Sequence, residues 1–114
     1  MEKIFKEEHQ VSYGDCDETG KIQLPHLIEH FMQVSNDQLT SGGAGIHDLL
    51  KQNLGWVVVE YHLDIDRLPE AGEKITVTTN GSGYNRFFEY RDFGIIDYTN
   101  EKIVDGKSQW VILD

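Results

Sequence analysis

Residues 24–43, LPHLIEHFMQVSNDQLTSGG, constrain the fold most because they form the one long stretch with a helical period. Apolar residues recur there every three or four positions, which predicts one buried helix face. These residues are Leu24, Leu27, Ile28, Phe31, Met32 and Leu39. Pro25 suits the first turn of a helix, and Gly42 and Gly43 suit its end. The pattern therefore predicts a central amphipathic helix with residues that favour a helix start at one end and a helix end at the other.

The remaining segments are mostly typical of β-strands. Residues 2–13 predict a first strand, and residues 46–52 predict one or two helical turns after the central helix. Residues 56–66 alternate with a period of two, which predicts a strand with one face toward the core. That inward face is predicted to carry Val57, Val59, Tyr61, Leu63 and Ile65, and the next strand to carry Ile75, Val77 and Thr79.

The order of these segments predicts the fold class. Residues 80–85 are predicted to turn the chain, residues 86–98 to form a strand with a bulge at 92–94, and residues 103–113 to form the last strand. One strand, one long helix and four consecutive antiparallel strands favour a curved sheet wrapped around the helix. We therefore expect an α+β hotdog-like fold of about five strands, with residues 1–114 as a single domain. An uncovered sheet edge would favour pairing with another copy or another hotdog domain.

The composition of the chain limits the kinds of binding partner and the cellular location that we expect. The 114 residues include 10 Lys and Arg against 20 Asp and Glu, and the net charge of −10 argues against binding nucleic acid or an anionic membrane. The sequence contains no apolar run long enough for a membrane span and does not begin like a signal peptide. Cys16 has no second cysteine to pair with. We therefore expect a cytoplasmic protein.

Several motifs in a fixed order resemble one group of enzymes. Residues 13–20, YGDCDETG, resemble the D-x-D-x-x-G signature of hotdog thioesterases, including the 4-hydroxybenzoyl-CoA type. The following motifs resemble the first half of acyl-acyl carrier protein thioesterases: TGKIQLP at residues 19–25, WVV at 56–58, DRLPEAGE at 66–73, YNRFF at 84–88 with YR at 90–91, and WV at 110–111. The resemblance covers nearly the whole chain. It implies hydrolysis of a fatty acyl thioester of acyl carrier protein.

The resemblance also implies that the two halves of such an enzyme have different roles. That family generally has two tandem hotdog halves, with catalytic Asp, Asn and His in the second half, in a D-x-N-x-H pattern at the head of its helix. The equivalent loop of this chain carries Asp17, Thr19 and Lys21 and keeps only the Asp. The resemblance therefore implies a first, substrate-shaping half. The acyl pocket that it implies is lined by Leu27, Ile28, Phe31, Met32 and Trp56.

Asp17 is the candidate catalytic residue within the chain itself. Thioester hydrolysis needs a base or nucleophile and a donor for the developing oxyanion, and a carboxylate at a helix entrance lies near backbone N–H groups. The alternative is that Asp15 and Asp17 complete the hydrogen bonds of a turn. Cys16 is a poor nucleophile because the two flanking carboxylates disfavour its thiolate.

Two further sequence patterns concern the binding of a metal ion and of a carrier protein. His26 to His30 matches H-x-x-E-H, a zinc-peptidase pattern, but a site of that kind needs a third ligand from another helix, so we predict neither a metal nor a cofactor. The cationic residues that an acidic carrier protein could meet are Arg67, Arg86, Arg91 and Lys107. Scattered solubilising charges are an equally good interpretation of them.

Three functions follow from the sequence. The first is an acyl-acyl carrier protein thioesterase, with this chain as its substrate-shaping half. The second is a single-hotdog acyl-CoA thioesterase that works as a homo-oligomer through Asp17. The third is a non-catalytic acyl-binding or dimerisation module.

Overall fold

The computed structural model describes residues 4–113, which form two α-helices and a five-stranded antiparallel sheet. The helices are α1, Leu24–Ser41, and α2, Ile46–Leu50. The strands are β1, Phe5–Gln10; β2, Gly55–Ile65; β3, Lys74–Tyr84; β4, Glu89–Ile96; and β5, Lys102–Leu113. They lie in the order β1-β3-β4-β5-β2, so β1 and β2 are the edges. Of the predicted first strand, residues 2 and 3 lie outside the described residues.

Helix α1 packs on one face of the sheet, as the sequence predicts. Leu27, Phe31 and Val34 are completely buried, and the Phe31 ring stacks on Phe93 of β4 with 4.6 Å between the ring centroids. Two residues of the predicted apolar stripe are exposed, Leu24 by 48% and Met32 by 39%, and Ile28 and Leu39 are partly buried. Leu24 is the first residue of the helix, and Met32 lies on the flank of the row formed by the buried residues.

A bulge in β2 changes which of its residues face the core. The pairing of β2 with β5 shifts between Val58 and Glu60, so Val59 is an extra residue. Trp56 and Val58 pack against the core, whereas Val57 and Val59 are exposed. The predicted inward face was therefore wrong in the first half of this strand. Beyond the bulge, Tyr61 and Leu63 pack inward as predicted, but Ile65 is 39% exposed.

The hairpin between β3 and β4 also differs from the prediction. Strand β3 continues to Tyr84, and the chain turns later, where Asn85 Oδ1 accepts hydrogen bonds from the backbone N–H groups of Phe87 and Phe88. The bulge predicted at residues 92–94 is wrong, because β4 pairs with both neighbours there without a shift. The apparent slip comes from Gly94, which is buried because the Thr78 and Lys102 side chains lie close above it.

Arg67 connects the loop after β2 to the turn between β4 and β5. Its guanidinium group donates to both carboxylate oxygens of Glu73, at 3.0 and 2.7 Å, and to Asp97 at 3.0 Å. Both carboxylates are almost fully buried. Arg67 is the largest cause that holds the pKa of Glu73 below its usual value. The network therefore joins two loops through buried charges that depend on one cation.

Between residues 4 and 113, neither helix has the length and the apolar character needed to cross a bilayer.

Candidate functional site

The loop that leads into α1 is held in place by backbone hydrogen bonds. Its two arms pair with each other through Cys16 and Ile22 and through the N–H of Asp17 and the carbonyl of Lys21. The same loop is bonded to the β2–β3 connection, where Ile22 N–H donates to the carbonyl of Pro69. Because both sides of the loop are anchored, the side chain of Asp17 has a defined position.

The Asp17 carboxylate is engaged in the turn itself. Its Oδ1 accepts hydrogen bonds from the Thr19 backbone N–H at 2.8 Å, from the Thr19 hydroxyl at 2.6 Å and from the Lys21 N–H at 3.3 Å. The Thr19 hydroxyl is the main cause that lowers the pKa of Asp17. Since these bonds favour the ionised form, Asp17 is a carboxylate, but one with reduced basicity.

A second turn in the protein has the same bonding. Asp97 Oδ1 accepts from the Thr99 N–H at 2.9 Å, from the Thr99 hydroxyl at 2.7 Å and from the Glu101 N–H at 3.0 Å. This turn joins β4 to β5, where no helix begins. An Asp-x-Thr turn thus forms without any connection to a helix entrance, which favours the turn-forming interpretation of Asp17. A catalytic role for Asp17 stays a prediction.

Cys16 is partly buried beside Asp17. Its thiol lies 3.5 Å from the carbonyl oxygen of Ser12. Burial raises the pKa of Cys16, and the charges of Asp15 and Asp17 raise it further. This environment stabilises the thiol over the thiolate, in agreement with the sequence argument against a nucleophilic role.

The two histidines of the H-x-x-E-H pattern have different partners. His26 Nδ1 lies 3.2 Å from Glu29 Oε2 and 3.4 Å from Asp15 Oδ1. His30 Nδ1 instead lies 2.7 Å from His9 Nδ1 on β1. Within residues 4–113, no group of three or more His, Cys, Asp or Glu side chains is placed to hold a metal ion.

The contact between His30 and His9 predicts a dependence of stability on pH. Burial lowers the pKa of His30 below its ordinary value of 6.5, and His9 lowers it further. The folded protein therefore binds this proton less readily than the unfolded chain does, and stability should fall as the pH drops below about 6.5 toward the folded pKa. Urea unfolding at a series of pH values from 7.5 to 5.5 measures the slope.

Two variants test the assignment of that slope to His30. His30→Gln should flatten the loss of stability, whereas His47→Gln, on the exposed surface of α2, should leave it unchanged. Burial raises the pKa of Glu7, which contacts His9, so Glu7 contributes to the pH dependence with the opposite sign. An equal slope in wild type and His30→Gln would contradict the prediction.

A mostly apolar cavity lies between α1, α2 and the inner face of the sheet. It is lined by Met32, Ser35, Asn36, Leu39, Ile46, Trp56, Glu89, Arg91 and Trp110. Of the predicted acyl-binding residues, Met32 and Trp56 line this cavity. Leu27 and Phe31 are fully buried in the core, and Ile28 is partly buried outside the lining.

Two residues of the cavity show what the sequence argument missed. Trp110 and Arg91 face inward from β5 and β4, at positions that alternate with exposed or partly exposed residues. Extending the period-two pattern along these strands would have placed Trp110 on the inner face. The period-two pattern does not predict Arg91 in the cavity, because a cationic side chain is not expected on the inner face of a sheet. The Gln38 side chain of α1 and the Thr79 hydroxyl hold it there.

Aromatic side chains form the wall of the cavity on the sheet. Trp56 and Trp110 meet edge to face with centroids 6.5 Å apart, and Tyr61 also meets Trp110 edge to face, with centroids 6.3 Å apart. The Trp110 indole N–H donates to the Ser108 hydroxyl at 2.6 Å, and the Tyr61 hydroxyl approaches the Met32 sulfur at 3.4 Å. Rigid rings of this kind favour an apolar chain or ring as the ligand.

The family of the chain follows from its whole length. A model of the N-terminal domain of acyl-ACP thioesterases matches residues 2–114. The chain belongs to this family. The match includes the loop before α1, the helix and every strand of the cavity wall, and it confirms the resemblance seen in the motifs. No significant match is found among curated proteins.

Solved structures with the same fold include several thioesterases. A Lactobacillus plantarum protein described as an oleoyl thioesterase is 34% identical, with a TM-score of 0.94 over 98% of this chain and 44% of that one. An acyl-ACP thioesterase from Bacteroides thetaiotaomicron is 25% identical, with a TM-score of 0.90 over 97% of this chain and 46% of that one. This chain therefore spans less than half the length of either protein.

Shorter proteins share the fold as well. A DHNA-CoA thioesterase from Staphylococcus aureus is 19% identical, with a TM-score of 0.90 over 97% of this chain and 74% of that one. Together with the antiparallel sheet and the long helix, these likenesses confirm the α+β hotdog fold.

The four cations considered for a carrier protein lie in different parts of this N-terminal domain. Arg67 is engaged by Glu73 and Asp97, and Arg91 is partly buried in the cavity wall. Arg86 lies over the Phe87 ring at 5.5 Å in the β3–β4 turn, while Lys107 is exposed on β5. Their placement favours separate structural and solubilising roles over one basic patch.

Proposed function

We propose that this chain is the substrate-shaping hotdog half of a cytoplasmic thioesterase that hydrolyses fatty acyl thioesters of acyl carrier protein. The observation that carries the proposal is the aromatic and apolar cavity beneath α1, in a chain of this family. In this function α1 and the inner face of the sheet hold the acyl chain, and Met32, with its flexible thioether, adapts the wall to the chain.

The chemistry of hydrolysis is assigned to a second hotdog half. A general base must be basic enough to take a proton from water, and three hydrogen bonds from Thr19 and Lys21 to Oδ1 of Asp17 lower the pKa of this carboxyl. The Asp17 carboxylate therefore stabilises the turn in the loop that leads into α1. No metal or cofactor enters this mechanism, because hydrolysis of a thioester needs only water, a base and donors for the oxyanion.

The partner half is proposed to pair along the edge of the sheet. Strand β2 is an edge, and it exposes Val57 and Val59 next to its unpaired backbone groups. An exposed edge with apolar side chains favours continuation of the sheet by another strand. The partner is a second hotdog domain or a second copy of this chain, and the ligand is an acyl thioester of acyl carrier protein or of CoA.

Hydrolysis assays test the proposal. The purified chain is expected to bind fatty acids without turning over acyl-ACP or acyl-CoA substrates, and joining it to a second hotdog half should give turnover. Binding is followed by calorimetry, hydrolysis by thiol release, and the mass in solution is recorded in parallel. Failure of the folded chain to bind any fatty acid would remove the proposal.

Turnover by the chain alone would favour the single-hotdog acyl-CoA thioesterase. The observation behind this second candidate is the Asp-Cys-Asp sequence at the head of α1. In that case Asp17→Asn should abolish turnover, while Asp97→Asn, which changes the matching turn away from the helix, should retain it. Equal losses in both variants would indicate a structural effect. Binding and self-association without turnover, even with a second half present, would instead identify a non-catalytic module.

A further inference from the structure

The short helix α2 supplies one wall of the cavity. Among the lining residues between positions 4 and 113, Ile46 is the one that belongs to α2, and the others lie on α1 or on the sheet. Those on α1 occupy one face of the helix over two turns: Met32, Ser35, Asn36 and Leu39. The cavity therefore extends along α1 for about 10 Å, from Met32 toward α2.

Gly45 holds α2 tightly against the last turn of α1. A Cβ atom on Gly45 would overlap the Thr40 hydroxyl oxygen and lie 3.0 Å from the Thr40 Cα and Cβ atoms. The φ angle of Gly45 is −73°, which other residues adopt readily, so this position needs glycine for space rather than for backbone freedom. Gly45 is buried in this contact, which joins α1 and α2 at the end of the cavity.

Hydrogen bonds fix Ile46 beside the contact between the two helices. The Ile46 N–H donates to Asn36 Oδ1 at 2.9 Å, and the Gly45 N–H donates to Asp48 Oδ2 at 2.9 Å. Ile46 lines the cavity and is 50% exposed, so its side chain lies between the cavity and solvent. The walls on α1 and the sheet belong to the core, whereas this wall depends on where Gly45 places α2.

The polar side chains near this end have other positions or partners. Arg91 is held by Gln38 and Thr79, and Glu89 is exposed at the start of β4. The side-chain oxygen of Asn36 is the acceptor for the Ile46 N–H. The end of the cavity beside α2 is therefore formed by apolar side chains of Leu39 and Ile46, which suit the methyl end of an acyl chain.

The opposite end of the cavity lies toward β2. Met32 is 39% exposed, and its sulfur lies 3.4 Å from the hydroxyl of Tyr61 on β2. The second hotdog half is proposed to pair along this edge strand. An acyl chain whose thioester is hydrolysed there enters past Met32, and its methyl end points toward Ile46.

We propose that Ile46 limits the length of the acyl chain that the cavity accepts, and that Gly45 sets this limit by holding α2 against α1. The inference rests on the proposed acyl-binding function and assigns chain-length selection to this wall. Gly45 is a positioning residue that acts through Ile46. A longer chain has to displace α2 or leave its last methylenes in solvent, and each unburied methylene forgoes about a fourfold gain in affinity.

Binding of saturated fatty acids, from octanoic to octadecanoic acid, measures the limit. Calorimetry on the 114-residue chain identifies the acid that binds most tightly. Ile46→Ala removes most of the wall, so the favoured acid should become about two carbons longer, and its affinity should rise about tenfold over that in the wild type. Gly45→Ala pushes α2 away from Thr40 and should shift the favoured length in the same direction.

Two variants of the same part of the chain are matched controls. Leu50→Ala removes an apolar side chain of α2 that is 59% exposed and lies outside the cavity lining. Gly55→Ala adds a Cβ atom at a glycine where, within residues 4–113, no atom beyond the neighbouring residues lies within 4 Å. Both should keep the wild-type order of the acids. Urea unfolding is measured in parallel, because a loss of stability alone lowers binding of all acids alike and leaves their order unchanged.

The outcomes separate this inference from the function beneath it. An unchanged favoured length in Ile46→Ala, or an equal shift in Leu50→Ala, would overturn the inference and leave the acyl-binding function standing. A shift in Ile46→Ala without one in folded Gly45→Ala would overturn the role of Gly45. No binding of any acid by a wild-type chain with the circular dichroism spectrum of a folded protein would overturn both the inference and the function.

Discussion

Replacing Phe31 with alanine is expected to lower the free energy of unfolding by about 3–5 kcal/mol, as is usual for a buried phenylalanine. Phe31 is completely buried, and its ring stacks on Phe93 at 4.6 Å, so it joins α1 to the centre of the sheet. Truncation removes this contact and leaves a cavity between helix and sheet that rigid neighbours fill only in part. Urea unfolding followed by circular dichroism measures the loss.

The matched control is another apolar residue of the same helix. Leu24 belongs to the apolar pattern of the sequence but is 48% exposed, so Leu24→Ala should cost less than about 1 kcal/mol. The pair of variants distinguishes burial in the folded protein from mere position in the pattern. Similar losses for the two variants would show that α1 sits differently on the sheet.

Replacing Arg67 with alanine is expected to destabilise the protein by about 2–3 kcal/mol, near the lower end for loss of one partner of a buried ion pair. The expected loss of stability is at this low end because the side chain of Arg67 is itself 34% exposed, so solvent screens its charge. Without the guanidinium group, Glu73 and Asp97 remain as neighbouring buried carboxylates with no cation between them. Denaturant unfolding at pH 7 measures the change.

Acid should reduce the difference between Arg67→Ala and the wild type. The pKa of Asp97 is lowered to about 2, chiefly by the Thr99 hydroxyl and with a contribution from Arg67, and that of Glu73 is lowered chiefly by Arg67. Wild-type stability from these groups is complete above their ordinary pKa values and is lost as the pH falls through the lowered ones. The variant lacks part of this stabilisation, so the two curves should converge below about pH 4.

A surface ion pair provides the control for Arg67. Lys102 lies 2.6 Å from Asp105, but both side chains are about half exposed, so Lys102→Ala should change stability by less than about 1 kcal/mol. If Lys102→Ala lowered stability as much as Arg67→Ala does, the burial of Glu73 and Asp97 would not be the reason for the large loss in Arg67→Ala.

The elements of the fold could be predicted because their signals are local. The apolar period of α1, the glycines after it and the alternation in β3 each act over a few residues, so they hold whatever surrounds them. The predictions failed where the burial or the pairing of a residue depends on a neighbouring strand. The bulge at Val59 depends on pairing with β5, and the burial of Gly94 depends on side chains from β3 and β5.

The candidate site could be predicted only in part, for the same reason. Met32 and Trp56 were identified through the family resemblance, but Arg91 and Trp110 lie 50 and 69 residues beyond the end of α1 and enter the cavity from β4 and β5. The role of Asp17 was left open in the sequence between catalysis and a turn. The hydrogen bonds to Thr19 and Lys21, repeated at Asp97, favour the turn.

By itself, the sequence determined the order of helix and strands, the family and the acidic charge, since each is carried by residue types and their spacing. Only the tertiary structure decided which apolar residues are core and which line a cavity. Leu27 and Met32 look alike in the helical pattern, yet one is fully buried and the other lines the cavity. The difference arises because burial depends on what the sheet places opposite each side chain, and the local pattern does not contain that information.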